Sequence, residues 1–298
     1  MAWWTGKTAI AAASIGDSNA FASGGVTPPG GQTNNPHLHC YVSEFGQVPY
    51  DEANLGWYSV DPNGTARAAE LASYSSGGNV GFVGQYLGGN GNAAMQMGST
   101  FQQGSDAEDV YLYQCAAGGT TADFWANGDG WDTLLRTIPT ALAAIPGSPT
   151  YFDILYISLG TNDCIQDYTA DQFLANIRIL RDKMIAEGWW VPNTTRVVWM
   201  DLPRNGTVSG TGGDYPDTWF GIDYILARLN DRIAMINSIG MTYDTFFPVH
   251  YLPPSYTSMG LRTGELLLAD IPVQQSVFSV GGTRLSIGGQ KIRVNSNA

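Results

Sequence analysis

Four short blocks hold the residues of this sequence that could do chemistry together. They are Ser18 in Gly16-Asp17-Ser18-Asn19, Gly119 in Gln114-Cys115-Ala116-Ala117-Gly118-Gly119-Thr120-Thr121, Asn162 in Gly160-Thr161-Asn162-Asp163, and His250 ahead of Tyr251-Leu252-Pro253-Pro254. A serine hydroxyl is a weak nucleophile and needs a base within hydrogen-bond reach. His250 is of the right kind: it would take the Ser18 proton and later return it to a leaving oxygen. The negative oxygen of a tetrahedral intermediate needs fixed donors. The backbone N–H groups of Ser18 and Gly119 and the side-chain amide of Asn162 could supply them, and losing one such donor costs on the order of 10²-fold or more in rate. Glycine at 119 lets backbone approach closely. Taken singly, Gly-Asp-Ser also describes an ordinary turn, and Asn162 a turn-capping residue.

The elements that must position these blocks are strands. Residues 8–15 are small and apolar and stop at the Gly-Asp-Ser turn, the pattern of a buried strand. Residues 110–115 and 154–159 read the same way, so Ser18, Gly119 and Asn162 each follow a strand at one sheet edge, where ligand sites of open α/β sheets gather. Residues 131–145 read as an amphipathic helix. Residues 170–187 form a longer one, with Phe173, Leu174, Ile177, Leu180, Met184 and Ile185 spaced at three and four. A strand over 196–200, a helix over 222–239 and a last helix over 259–269 follow. The alternation predicts a parallel sheet with helices on both faces, a three-layer α/β/α sandwich. Residues from about 21 to 104 are rich in Gly, Asn, Pro and Ser and read as a loop-rich insertion, with a helical stretch near 66–75 and a strand-like piece at 80–83. Residues 277–294 change to two alternating runs around Gly-Gly, a small ribbon. The expected organisation is one domain over 1–275 and a β ribbon over 276–298.

The ordered blocks resemble the SGNH (GDSL-like) hydrolase superfamily, whose name records Ser, Gly, Asn and His in this order. The stretch LYQCAAGGTTADFW, and a His followed ten residues later by Gly with Tyr between, are similar to the sialate O-acetylesterase and carbohydrate acetylesterase branch. In that branch the first block is usually Gly-Gln-Ser-Asn, so Asn19 agrees and Asp17 departs. The resemblance spans roughly residues 7–270 outside the insertion. It implies a flavodoxin-like fold, Ser18 as nucleophile, His250 as base, an oxyanion hole of Ser18, Gly119 and Asn162, and no cofactor or metal.

The resemblance also implies an Asp three residues before the His, and Phe247 stands there. Asp244 through a longer loop, a backbone carbonyl or a distant carboxylate could orient the imidazole instead; the site could run as a Ser-His dyad, or it could have decayed to binding alone. Asp244 is the candidate carried forward.

Composition narrows the partners. The chain has 298 residues, 44% hydrophobic and 12% aromatic, which excludes a disordered protein. Fourteen basic against 26 acidic residues give a net charge of -12, which opposes binding to nucleic acid or anionic lipid. No apolar run approaches the roughly 20 residues of a membrane span. Cys40, Cys115 and Cys164 are too few for a disulfide framework. Lys7 ahead of a small apolar run has the outline of a signal peptide, but cleavage there would remove the strand presenting Ser18, so the segment reads as core. His37 and His39 beside Cys40 would share one face of a strand, half a metal site or ordinary loop histidines. Trp125 and Trp131 could stack on a sugar ring or pack in the core, and Trp125 is the substrate-binding candidate. The expected function is a serine esterase removing O-acetyl groups from a glycan. The alternatives are a lipase or thioesterase of the same superfamily, which would want exposed aliphatics that the insertion scarcely offers, or a non-catalytic carbohydrate-binding module of a phage tail fibre or spike. Many glycines and aromatics with few lysines resemble virion-associated or extracellular depolymerising modules, and composition does not select an oligomeric state.

Overall fold

The computed structural model describes residues 2–20, 35, 37–42, 93–202, 229, 231–243, 249–271, 285–287 and 290–292. Six parallel strands form its central sheet: β1 (Ala9–Gly16), β2 (Leu38–Val42), β3 (Asp109–Ala116), β4 (Ile154–Ser158), β5 (Arg196–Met200) and β6 (Ile233–Ile236), in the order β2-β3-β1-β4-β5-β6. The helices are α1 (Ala93–Gly104), α2 (Ala122–Asn127), α3 (Asp129–Ala143), α4 (Thr161–Ile165), α5 (Ala170–Ala186) and α6 (Pro253–Leu268). Strands β7 (Leu285–Ile287) and β8 (Gln290–Ile292) make an antiparallel ribbon of their own.

A central parallel strand is buried on both faces, and β1 is built for it. Its Ala11, Ala13 and Ile15 pack with residues of α2, α3 and α5, including Trp125, Leu134 and Phe173. The alternate Ile10 and Ala12 pack with Met97 and Phe101 of α1 and Met259 and Leu267 of α6. This split into two cores makes the expected three-layer α/β/α sandwich. Helix α5 starts on a capping box: Thr169 Oγ1 accepts the Gln172 N–H at 3.2 Å, and Gln172 Oε1 accepts the Thr169 N–H at 2.8 Å. Its Phe173, Leu174, Ile177, Leu180 and Met184 are buried, the stripe that the spacing predicts.

Four sequence expectations are corrected or refined. The helix over 222–239 does not form in its described part, because Ile233–Ile236 is strand β6, paired with β5. Ile233 and Ile236, three apart, fit one face of a helix, whereas in β6 they enter opposite cores, and a short parallel strand buried on both faces cannot be told from a helix turn by pattern alone. Within the stretch read as insertion, β2 pairs with β3 and α1 packs on α6, so both belong to the main body. The pieces at 66–75 and 80–83 lie outside the described residues. The last helix begins at Pro253, earlier than expected, with prolines in the first turn where no N–H is needed. The described ribbon lies within the second alternating run, and the first run lies outside the described residues. No helix among the described residues is long and apolar enough to cross a membrane.

The contact between α1 and α6 depends on two glycines one turn apart on α6. A Cβ at Gly260 would lie 2.5 Å from the Ala93 carbonyl oxygen and 2.5 Å from Gln96 Cβ, and one at Gly264 would lie 2.6 Å from Thr100 Cβ. Alanine normally strengthens a helix interior by about 1 kcal/mol over glycine, so the sign of a substitution here is informative. We expect Gly260→Ala to destabilise by roughly 1–3 kcal/mol through overpacking. Thermal unfolding checks it, and an unchanged or higher midpoint would show that the helices are not in close contact.

Candidate active site

The site is assembled by register. Gly16 of β1 lies beside Ala116 of β3 on one side and Ser158 of β4 on the other. The three chains leave the sheet together, and Ser18, Gly119 and Asn162 follow two, three and four residues beyond those paired ends. Strand order reverses at β1, since β3 and β2 lie to one side and β4, β5 and β6 to the other. Ligand sites in such sheets sit at the carboxyl ends of the strands at this reversal.

A side chain at position 16 would be impossible without moving backbone, because its Cβ would fall 2.0 Å from the Ser158 carbonyl oxygen. That closeness lets the Asp17 N–H donate to the Ser158 carbonyl at 2.8 Å and fixes the turn that carries Ser18. Ser18 is nearly buried, at 4% exposure. Its Oγ lies 2.9 Å from His250 Nε2, a contact between residues 232 positions apart. His250 is half-buried, just ahead of α6. The structure therefore brings the predicted nucleophile and base into hydrogen-bond contact. Asp244 and Phe247 lie outside the described residues.

Gly119 adopts φ 75 on an exposed turn, with nothing within 4 Å of where a Cβ would stand. The Thr120 hydroxyl shapes this turn by donating to the Ala117 carbonyl at 2.7 Å and accepting the Trp125 indole N–H at 3.0 Å. Trp125 itself is fully buried, so the expectation that it stacks on a sugar is not met here; it supports the Gly119 turn from the core. Trp131 is also buried, beside Trp189. Asn162 sits on α4, and its Nδ2 is buried with no acceptor among the described residues. An amide donor left over in a protein interior is a group waiting for a ligand or paying a desolvation penalty.

Two acids adjoining these residues were not singled out by the sequence reading. Asp17 is fully buried, and its Oδ1 accepts the Asn19 N–H at 2.9 Å and the Ser158 hydroxyl at 3.2 Å. Asp163 is also fully buried and takes the Ala122 N–H at the start of α2 with both oxygens, at 3.1 and 3.0 Å. Together they clasp the Ser18 turn to β4 and the Asn162 helix to the end of the Gly119 turn. Burial pushes both carboxyls up to about 7, against the pull of those hydrogen bonds, and the Asp17 charge adds to the rise at Asp163. The signal available in sequence was position: each acid is the immediate neighbour of a chemistry-bearing residue at the end of a buried strand.

His37 and His39 do not approach this site's residues in any hydrogen bond; His37 Nδ1 and His39 Nε2 each lie 3.1 Å from Asp109 Oδ1, and His39 stacks on Tyr111. Among the described residues there is no group of three or more potential ligands placed to hold a metal. Cys115 is buried in the core beside α2 and α3.

No family model matches the sequence, and no curated protein matches it either. Among solved structures, the fold is similar to that of a protein from Arabidopsis thaliana, 13% identical, covering 89% of this chain and 100% of that one with a TM-score of 0.58. It is also similar to NanS, 11% identical, covering 88% of this chain and 97% of that one with a TM-score of 0.55. A carbohydrate acetylesterase family member from Sinorhizobium meliloti aligns at 15% identity and a TM-score of 0.42, covering 78% of this chain and 98% of that one. The first two likenesses concern the fold: a six-stranded parallel sheet between helix layers.

The raised acids make stability depend on pH in a defined direction. An Asp ionises near 3.8 when unfolded and near 7 here, so between those values the native state holds more protons, and stability falls as pH rises through the window. Each pH unit there removes up to about 1.4 kcal/mol per group. Asp17→Asn keeps the acceptor for Asn19 and Ser158 and removes the charge, while Asp17 Oδ2 has no donor among the described residues to be lost. The variant's thermal midpoint should gain on wild type progressively from pH 4 to pH 8. A constant difference across that range would show that Asp17 does not titrate in the window.

Proposed function

We propose that this chain is a serine esterase that removes O-acetyl groups from a carbohydrate through an acyl-enzyme. The observation that carries the reading is the 2.9 Å contact between Ser18 Oγ and His250 Nε2 at the strand-order reversal. In the first step His250 accepts the Ser18 proton as Oγ attacks the ester carbonyl. The oxyanion that forms is met by the N–H groups of Ser18 and Gly119 and by Asn162 Nδ2, donors whose positions are set by strand ends before substrate arrives. The same imidazole then protonates the departing sugar oxygen, leaving acetate on Ser18. Water enters, gives its proton to His250, and hydrolyses the acetyl-serine. The ordered SGNH-like blocks and the similarity of the LYQCAAGGTTADFW stretch to carbohydrate acetylesterases support this reaction class.

Acetate is favoured over longer acyl groups by the residues that follow the strand ends. Among the described residues there, Ser18, Asn19, Gly118, Gly119, Thr120, Thr161 and Asn162 are small or polar and offer no aliphatic lining. One methylene in an apolar pocket is worth only about 1–3 kcal/mol, so discrimination requires that the pocket be absent rather than short.

The purified chain should hydrolyse an activated acetate ester, with Ser18→Ala and His250→Ala reducing turnover to background and a chelator leaving it unchanged. Asn162→Ala should lose about 10²-fold or more in kcat with little change in KM. Full activity in Ser18→Ala would overturn the assignment.

Chain-length preference separates the enzymatic readings. Acetyl esters should be cleaved far faster than octanoyl esters, and acetate should be released from acetylated glycans by wild type but not by Ser18→Ala. Comparable rates on octanoyl esters would indicate a lipase or thioesterase instead, and binding of glycans without acetate release would indicate a carbohydrate-binding module.

A further inference from the structure

Reactivity of a Ser-His pair depends on the imidazole being held in place, since misplacement by about 1 Å can cost 10²-fold. Position 247, where the resemblance implies an orienting Asp, is Phe. We infer that Asn19, with Tyr256 as its relay, is the positioning residue of His250; this rests on the esterase reading above. The structure shows a bracket around the base. Asn19 Nδ2 donates to the carbonyl of Val249, the residue before His250, at 3.0 Å. Asn19 Oδ1 accepts the Tyr256 hydroxyl at 2.8 Å, and that same hydroxyl accepts the N–H of Tyr251, the residue after His250, at 3.3 Å. One side chain therefore holds the backbone on both sides of the imidazole, directly on one side and through a phenol on the other.

Chemistry fixes the orientation of this amide. The Val249 carbonyl can only accept, so the NH₂ end must face it. The Tyr256 oxygen accepts from Tyr251 and its own proton goes to the Asn19 oxygen, so that end of the amide is the acceptor. The second Asn19 N–H goes to Thr161 Oγ1 at 3.2 Å, which ties the bracket to the block carrying Asn162. Asn19 is 1% exposed and Tyr256 has no exposed surface, so these bonds are shielded from water. Tyr256 is further held by its edge-to-face contact with Tyr251, at a centroid distance of 5.7 Å, and the Tyr251 hydroxyl donates to the Asp201 carbonyl at 2.8 Å. Asn19 is the immediate neighbour of the nucleophile. The spacing between Ser18 and His250 is thus set by the turn that carries Ser18 itself, and does not depend on two elements moving independently.

The test compares wild type, Ser18→Ala, Tyr256→Phe, Asn19→Ala and the double variant on an activated acetate ester, with thermal midpoints for each. Tyr256→Phe keeps the ring and removes the relay; kcat should fall about 5- to 10-fold with KM within about twofold. Asn19→Ala should fall about 10- to 100-fold. The double variant should be no worse than Asn19→Ala, because both substitutions open the same bracket. Values of kcat within twofold of wild type in both single variants would overturn the inference, as would a loss of kcat accompanied by an equal rise in KM or, in Tyr256→Phe, by collapse of the thermal midpoint. Should Asn19→Ala fail to fold, Tyr256→Phe decides. Absence of esterase activity in wild type would instead count against the esterase reading. The positioning role then stands or falls on the imidazole ¹⁵N signals of the chain's three histidines. Those of His250, assigned by their loss in His250→Gln, should shift or broaden in Tyr256→Phe, and unchanged signals would overturn it.

Discussion

The close approach of β1 to β4 at Gly16 is the constraint on which the site depends. With no Cβ between them, the Gly16 backbone settles against the Ser158 carbonyl, and the next residue donates its N–H to that oxygen. The turn that follows has its direction set before any side chain takes part. On the other flank the Ala117 N–H donates to the Gly16 carbonyl at 2.9 Å, so the chain entering the Gly119 turn is tied to the same point. Three loops that share one origin cannot drift apart without breaking the sheet ends, and this is how short, polar, locally irregular segments hold geometry that loops normally lack.

The site is held at a cost in stability. Asp17 and Asp163 lie in places where a charge is unwelcome, yet each gathers donors that no apolar residue could satisfy. Folded proteins commonly give up stability where function demands a fixed arrangement. Here that loss is concentrated in two carboxyls whose neighbours in sequence are Ser18 and Asn162. The surrounding sheet and its two cores supply the compensation, with β1, β4 and β5 buried across nearly their whole lengths.

Much of this was legible from local pattern. The strands at Ile154–Ser158 and Arg196–Met200 are continuous apolar runs bounded by turn residues, and α5 carries an unbroken stripe at helical spacing. The Ser18 and His250 blocks named two side chains that meet at 2.9 Å, and the strands before Ser18, Gly119 and Asn162 placed those three residues beyond neighbouring strand ends. What escaped was whatever depends on a distant partner. Ile233–Ile236 is a strand because β5 presents an edge to it, a fact absent from its own spacing. Trp125 reads equally as a sugar-stacking or a core aromatic, and only the core beneath the Gly119 turn that encloses it decides between them. Asn19 meets Val249 and Tyr256 at separations of 230 and 237 residues, and no motif length reaches that far.

The central place of β1 also has a consequence for how the chain comes to be folded. It is made well before the strands it pairs with: Ala9 pairs with Asp109 and Ala12 with Ile154. At about 5–20 residues per second, roughly 5–20 s pass before the first of these partners exists. For that time both edges of a small, apolar strand stand open, and pairing across such long separations is intrinsically slow once it begins. Ser18 thus leaves the ribosome before most of its surroundings exist, and His250 reaches it only 232 positions later. Shielding of this strand until its partners arrive therefore bears on the yield of folded protein alongside the stability of the finished sheet.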